Sequence, residues 1–412
     1  MDYFEHKNGA AHCEGVSLEK IAKEVMTPTY VYSKKTLKRH LEQFKQAFQD
    51  YPTLACFAVK ANSNLSLLSE VFSQGFGADL VSIGELEKSL KAGVSPESVV
   101  FSGVGKERHE IKRALEASIL AFNVESHFEL AMIQEVASSM DKVATVNLRI
   151  NPNIKAETNP KIATGMYSSK FGIPEGEANE MAAKILEMSH VRLIGIACHI
   201  GSQMTDLGPL REAAKRTADF AKNLMAKGHK LEVLDMGGGL GIRYEAEEPP
   251  SLAAYAATLI EEVKSTGLKL IVEPGRVIMG NVGVLLCRTI GVKSTPEKNF
   301  LVVDGAMNDL IRPSMYSSFH HILPVCASGK EEKLYDVVGP ICESGDFLGK
   351  DRSLPSMGEG DYIMVKGAGA YGAVMASNYN SRLRVCEVLV DGDSYKVVRK
   401  RESLQALWEL EE

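Results

Sequence analysis

The sequence predicts an α/β protein in two parts, a closed parallel (β/α)8 barrel followed by an all-β domain that the N-terminal segment completes. Three observations lead there. Eight short β-rich runs alternate with amphipathic helical patterns up to about residue 280. The runs are almost continuously apolar, as strands buried on both faces must be, which favours a closed barrel over the competing open doubly wound sheet. Beyond that point helical patterns thin out and successive strand patterns with turns take over.

The elements follow in order. The polar start leads to "TYVYS" (29–33), a strand expected to join the distant C-terminal strands, and then to a first helix at "KKTLKRHLEQFKQAF". The barrel strands are read at 53–62, 77–82, 98–104, 119–124, 143–151, 192–202, 231–239 and 268–275. Between them, "SIGELEKSLKAG" and "SHFELAMIQEVASS" carry apolar residues at the three-to-four spacing of helices that pack one face on a sheet. The second domain is read from "VGVLLCRTIGVK", "NFLVVDGAM", "KLYDVVGPIC", "DYIMVKGAGAY" and "RLRVCEVLVDGDSYKVVRK". The final "ESLQALWELEE" reads as a short surface helix or, preferably, as a solvated end with Trp408 packed down. The domain division is therefore 1–33 with the β domain, 34–278 as barrel, and 279–412 as the β domain proper.

Composition narrows the function. A chain of 412 residues is long enough for two substantial cores, and a net charge of -6 without a long basic run points away from nucleic acid and anionic membranes. No segment has the uninterrupted apolar length of a bilayer span or a signal peptide, so a cytoplasmic protein acting on a small molecule is expected. Seven cysteines without a CxxC pair suggest reduced thiols, with neither a disulfide framework nor a metal site.

"FAVKAN" (57–62) raises the chemical question, because an apolar strand should not end on an ammonium group without a reason. In a parallel barrel, reactive groups gather at the C-terminal ends of the strands. Lys60 ends the first strand, and Asp79, Arg149, Asn151, His199, the glycines after Asp235, Glu273 and Arg276 end others. Singly, each has an ordinary structural reading; together they mark one rim. "MGGGLGI" (236–242) is not a dinucleotide fingerprint, since Ile242 stands where the third glycine would fall. It is either a tight turn or a loop offering backbone N–H groups to a phosphate. A strand-end amine together with a phosphate loop suits pyridoxal phosphate, which needs both.

The ordered motifs "PTYVY", "FAVKAN", "SSKFGI", "HIGSQ", "DMGGGLGI", "EPGR", "DLIRPSMY", "GPICESGDF" and "GAGAYGAVMASNYN" span nearly the whole chain. They resemble the fold-type III pyridoxal-phosphate decarboxylases, a TIM-like barrel family, and within it the diaminopimelate branch. The resemblance implies that Lys60 carries the cofactor, His199 stacks on its ring, Gly238 and Gly239 hold its phosphate, and Glu273 faces the pyridine nitrogen, with Gly275 beside it. It places Arg276, Arg312, Tyr316, Glu343 and Tyr371 around an amino-acid substrate, Arg276 and Tyr371 also near the cofactor. It makes Cys342 a proton donor supplied across a homodimer interface, so that the active site is shared. Without that setting, Cys342 would read as a buried thiol between strands. Arg312 suits a substrate with a distal carboxylate, which a planar guanidinium binds through two parallel hydrogen bonds. A carboxynorspermidine or other basic amino-acid decarboxylase, or a silent cofactor-binding protein, are the alternatives. The chain departs from the common wording in "RPSMYSSFHH", where serines replace small apolar residues and glycine, and at Ser33, where an aspartate is frequent.

Overall fold

In the computed structural model, which describes residues 2–154, 162, 164–327 and 329–411, the chain divides into two compact units. One comprises Leu41–Ile242 and Glu248–Val277; the other comprises Met1–His40, Arg243–Glu247 and Ile278–Glu412.

The first unit is a closed barrel of eight parallel strands, Thr53–Ala58, Gly77–Leu80, Val99–Phe101, Ala121–Val124, Ala144–Ile150, Val191–Cys198, Val233–Asp235 and Lys269–Val272. The ring closes where Leu270, Ile271 and Val272 pair with Thr53, Leu54 and Ala55. Every predicted strand is present, each shorter than its sequence run because the polar residues after it belong to the rim. The helices between strands start on caps written in the sequence. Ser82 Oγ accepts from the N–H of Glu85, and Ser126 Oγ from that of Glu129, a bond whose loss costs about 1 kcal/mol.

Side chains two residues apart share a face of a strand, and this period sorts the barrel into layers. Cys56, Val100, Ala121, Ile194, Val233 and Ile271 form one buried apolar cluster. Two residues further on, Ser102, Asn123, Asp235 and Glu273 follow Val100, Ala121, Val233 and Ile271 and are also buried. An apolar plug thus gives way to a polar layer at the C-terminal ends of the strands.

The second unit contains a sheet of nine strands. Thr29–Ser33 lies inside it, antiparallel to Gly283–Ser294 and parallel to Cys386–Asp391. All five residues of that strand are buried, and this is why an early segment is indispensable to a late domain. The unit also holds a small sheet of Phe4–Lys7, Ala10–Cys13 and Val16–Ser17, and the helix Leu18–Val25. The sequence reading does not include these; the strands are two to four residues long, too short for a period to register. The C-terminal end also differs from expectation. It makes a single 3₁₀ turn, Leu404–Leu407, and leaves Trp408 46% exposed. Four residues of one turn provide no apolar face on which the indole can be laid. Among the described residues, no helix is long and apolar enough to cross a membrane.

Candidate active site

Lys60 follows the first barrel strand in a one-turn 3₁₀ helix, Val59–Ala61. Its Nζ lies 2.6 Å from Oδ2 of Asp79, which ends the neighbouring strand and is wholly buried. The lysine side chain is 38% exposed, so the amine sits at the boundary between protein and solvent. The other oxygen of Asp79 is buried without a hydrogen-bond partner among the described residues.

The glycine loop is demanded by packing. A Cβ on Gly238 would stand 2.1 Å from the carbonyl oxygen of Glu273, and one on Gly239 would stand 2.4 Å from that of Gly201. Gly239 also has φ of +114°, which side chains resist. The loop N–H of Gly237 is donated to Asp235 Oδ1, and that of Gly238 to His199 Nδ1. Since Nδ1 accepts, His199 is bare at that nitrogen. Burial, reinforced by Arg149 and Lys60, holds its imidazole well below the usual pKa and therefore neutral.

Glu273 ends the eighth strand. Burial pushes its carboxyl well above the usual range, with the Asp235 and Asp79 carboxylates adding to the effect. Asp235 is itself raised to about 6, mainly by burial. One amide bridges the two, because Asn123 Nδ2 lies 3.2 Å from Asp235 Oδ2 and 3.4 Å from Glu273 Oε1. Asn147 Nδ2 donates to Asn123 Oδ1 and so fixes which way that amide points. Two acidic groups this close in a dry site resist ionising together, and the upward push is the stronger on Glu273. Nearby, Gly275 and Arg276 are buried, and Arg276 Nη2 donates to Ser202 Oγ at 3.2 Å. Arg149 is anchored by Glu125 at 2.9 Å, and Asn151 donates to the carbonyls of Met166 and Phe171.

An amine at the solvent boundary, a cradle that a Cβ would fill, a neutral imidazole and a protonated carboxyl are what an aldehyde, a phosphate, an aromatic ring and a pyridine nitrogen need. The residues fit pyridoxal phosphate.

The second unit carries the remaining predicted residues. Arg312 is buried at the start of the one-turn helix Arg312–Tyr316. Tyr316 and Tyr371 are half-buried, and Tyr371 has φ of +55°. Cys342 and Glu343 are exposed, so the alternative of a buried Cys342 thiol does not hold. The Cys342 N–H is donated to Asn380 Oδ1 at 3.0 Å, and Glu343 Oε2 accepts from the Tyr379 hydroxyl at 2.8 Å.

Comparison with known proteins agrees with this chemistry. Residues 34–280 match the family described as "Pyridoxal-dependent decarboxylase, pyridoxal binding domain". Diaminopimelate decarboxylase of Haemophilus influenzae is 46% identical, covering 100% of this chain and 99% of the relative. That of Pseudomonas aeruginosa is 47% identical, over 99% and 98%. The crystal structure of the Helicobacter pylori diaminopimelate decarboxylase complexed with L-lysine superposes with a TM-score of 0.93 at 43% identity, covering 95% of this chain and 98% of that one. The chain belongs to the diaminopimelate decarboxylase family. It is a pyridoxal-phosphate enzyme with an amino-acid substrate.

The sequence reading missed several residues that pack with the predicted set. Asn123, Glu125 and Ser202 were not singled out, although Asn123 and Glu125 end or follow the fourth strand just as Asp79 ends the second. For Asn123 the signal was available in the two-residue period, since it follows Ala121 on the same face; Glu125 follows Asn123 just past the strand. Ser202, in a loop after the sixth strand, carries no such signal.

Proposed function

We infer that the protein removes one carboxylate from meso-2,6-diaminopimelate to give L-lysine and carbon dioxide, the closing step of lysine formation. The observation that carries the cofactor chemistry is the Lys60–Asp79 pair, at the same end of the strands as a glycine loop packed against Glu273. The substrate rests on relatives that match the chain over its whole length.

When bound, pyridoxal phosphate supplies the sink for the electron pair left on Cα as carbon dioxide departs. Lys60 provides the amine that would hold the cofactor's aldehyde. Asp79 keeps that amine in place. Gly238 and Gly239 admit the phosphate against the backbone, and neutral His199 offers a flat face to the ring. Glu273, whose buried carboxyl favours its protonated form, would face the pyridine nitrogen and hold a proton there.

For the substrate, the proposal assigns Arg276 and Tyr371 to the reacting end, and Arg312 with Tyr316 to the distal carboxylate. Glu343 takes the distal ammonium, and Cys342 returns a proton to Cα. An exposed thiol on a loop suits a donor that serves another copy of the chain, so a homodimer with shared sites is part of the proposal. The domain limits 1–33, 34–278 and 279–412 are also part of it. So is a cytoplasmic location, which seven free cysteines favour.

The test offers the protein loaded with pyridoxal phosphate four substrates side by side: meso-diaminopimelate, ornithine, arginine and carboxynorspermidine. Lysine formed from meso-diaminopimelate alone is the expected result. Turnover of another substrate overturns the specificity, and loaded protein that turns over none of them overturns the enzyme.

A further inference from the structure

We propose that His320 is a positioning residue for Arg312, fixing the direction in which the guanidinium meets the distal carboxylate. The proposal rests on the reading of Arg312 given above.

The segment 312–320 folds back on itself to make the contact. The helix Arg312–Tyr316 ends at Ser317, whose φ of +52° turns the chain. His320 then returns to Arg312, wholly buried. Its Nδ1 lies 2.8 Å from the carbonyl oxygen of Lys366, and its Nε2 lies 2.9 Å from Arg312 Nη1. These partners settle where the proton sits. A carbonyl only accepts, so Nδ1 carries the hydrogen; a guanidinium only donates, so Nε2 is bare. His320 is a neutral acceptor held at its far side by the backbone.

Two more contacts complete the frame. Arg312 Nη2 donates to Ser318 Oγ at 3.3 Å, and its Cζ stands 4.3 Å from the centre of the Tyr244 ring. Tyr244 and His320 meet edge to face, 5.4 Å between centres at 70°. A planar cation held at two corners and on one face has one orientation. The in-plane corner bonds set its rotation, the aromatic face sets its tilt, and both matter to a group that binds carboxylate bidentately.

The experiment compares binding of L-lysine, which keeps a carboxylate, with that of 1,5-diaminopentane, which lacks it, by calorimetry on the cofactor-loaded protein, alongside kcat and KM for diaminopimelate. His320→Asn keeps an amide near the Nδ1 position but removes the acceptor facing Arg312. We expect it to lose about tenfold in L-lysine affinity, with KM rising more than kcat falls and 1,5-diaminopentane binding unchanged. His320→Gln, whose amide oxygen reaches the Nε2 position, should restore discrimination. In an Arg312→Ala background, His320→Asn should add nothing, since it acts through the missing group. If Arg312→Ala leaves discrimination intact, the carboxylate reading itself fails. If Arg312→Ala abolishes discrimination while His320→Asn preserves it, or if the two losses add, the positioning role is overturned. Should His320→Asn fail to fold, His320→Met carries the same comparison.

Discussion

The rim of the barrel and the 342–343 loop of the second unit are built on opposite principles. At the rim, Asp79, Asp235 and Glu273 are buried, burial raises the carboxyls of Asp235 and Glu273, and each of the three side chains has a hydrogen-bond partner within the unit. On the loop, Cys342 and Glu343 are exposed and are held by single contacts to Asn380 and Tyr379. The first region is ready for its ligand before the ligand arrives. The second leaves a thiol and a carboxylate open to solvent. Burial creates chemistry in one region, and access preserves it in the other.

The largest expected effect breaks the rim at its reactive point. Lys60→Ala should abolish turnover and the visible absorbance of bound cofactor; ordinary steady-state rates in this variant would sink the mechanism. Next, Cys342→Ala should slow turnover by roughly 10² or more, the range for a positioned proton donor, while the absorbance persists. Mixing the Lys60→Ala and Cys342→Ala proteins under conditions that exchange subunits should regain part of the wild-type rate. A mixture as inactive as its parents would remove the shared site.

Stability separates the two regions further. Lys106 and Glu129 pair at 2.5 Å with side chains 1% exposed, and the lysine also donates to the carbonyls of Gly103 and Asn123. Glu129→Leu leaves that ammonium buried without its carboxylate and should cost about 3 to 5 kcal/mol in urea unfolding. Glu343→Gln, which breaks an exposed contact on the loop, should leave the unfolding midpoint where it was. Equal effects would erase the distinction between the regions.

The smallest effect is a pH dependence. Asp235 is raised on folding from 3.8 to about 6, so the native state holds a proton that the unfolded chain releases. Its contribution to stability therefore falls as pH climbs from about 4 to about 6 and is level above that. Asp235→Asn removes this penalty and keeps an oxygen for the Gly237 N–H, but sets its own NH2 against Asn123 Nδ2, which offsets part of the gain. Cofactor-free variant protein should be more stable than wild type at pH 7 by at most roughly 3 kcal/mol, with a shallower fall between pH 4 and 6. A melting profile parallel to that of the parent protein would show that folding does not raise the Asp235 carboxyl.

Much of this molecule is written locally. The eight barrel strands announce themselves because strands covered on both faces must be apolar throughout, and polar residues can enter only where a strand stops. Lys60, Asp79, His199 and Glu273 were legible for that reason. The sequence also placed "TYVYS" with the late strands, since an early apolar strand needs neighbours on both edges. Tertiary structure decided what lies far apart in sequence. Asn123 meets Asn147 and Glu125 meets Arg149, each 24 residues apart, because the fourth and fifth strands lie side by side with Asn123 opposite Asn147. No period along one strand reveals its register against the next. The bridge from Asn123 to Asp235 and Glu273, 112 and 150 residues away, exists only because the barrel closes. Ser317, an unexplained departure in the sequence, proves to occupy a left-handed turn where glycine costs less. Sequence alone determined which residues could be reactive, because residue type and strand position are local. Proton positions and side-chain directions were decided by the fold, because burial and hydrogen-bond partners come from elsewhere in the chain.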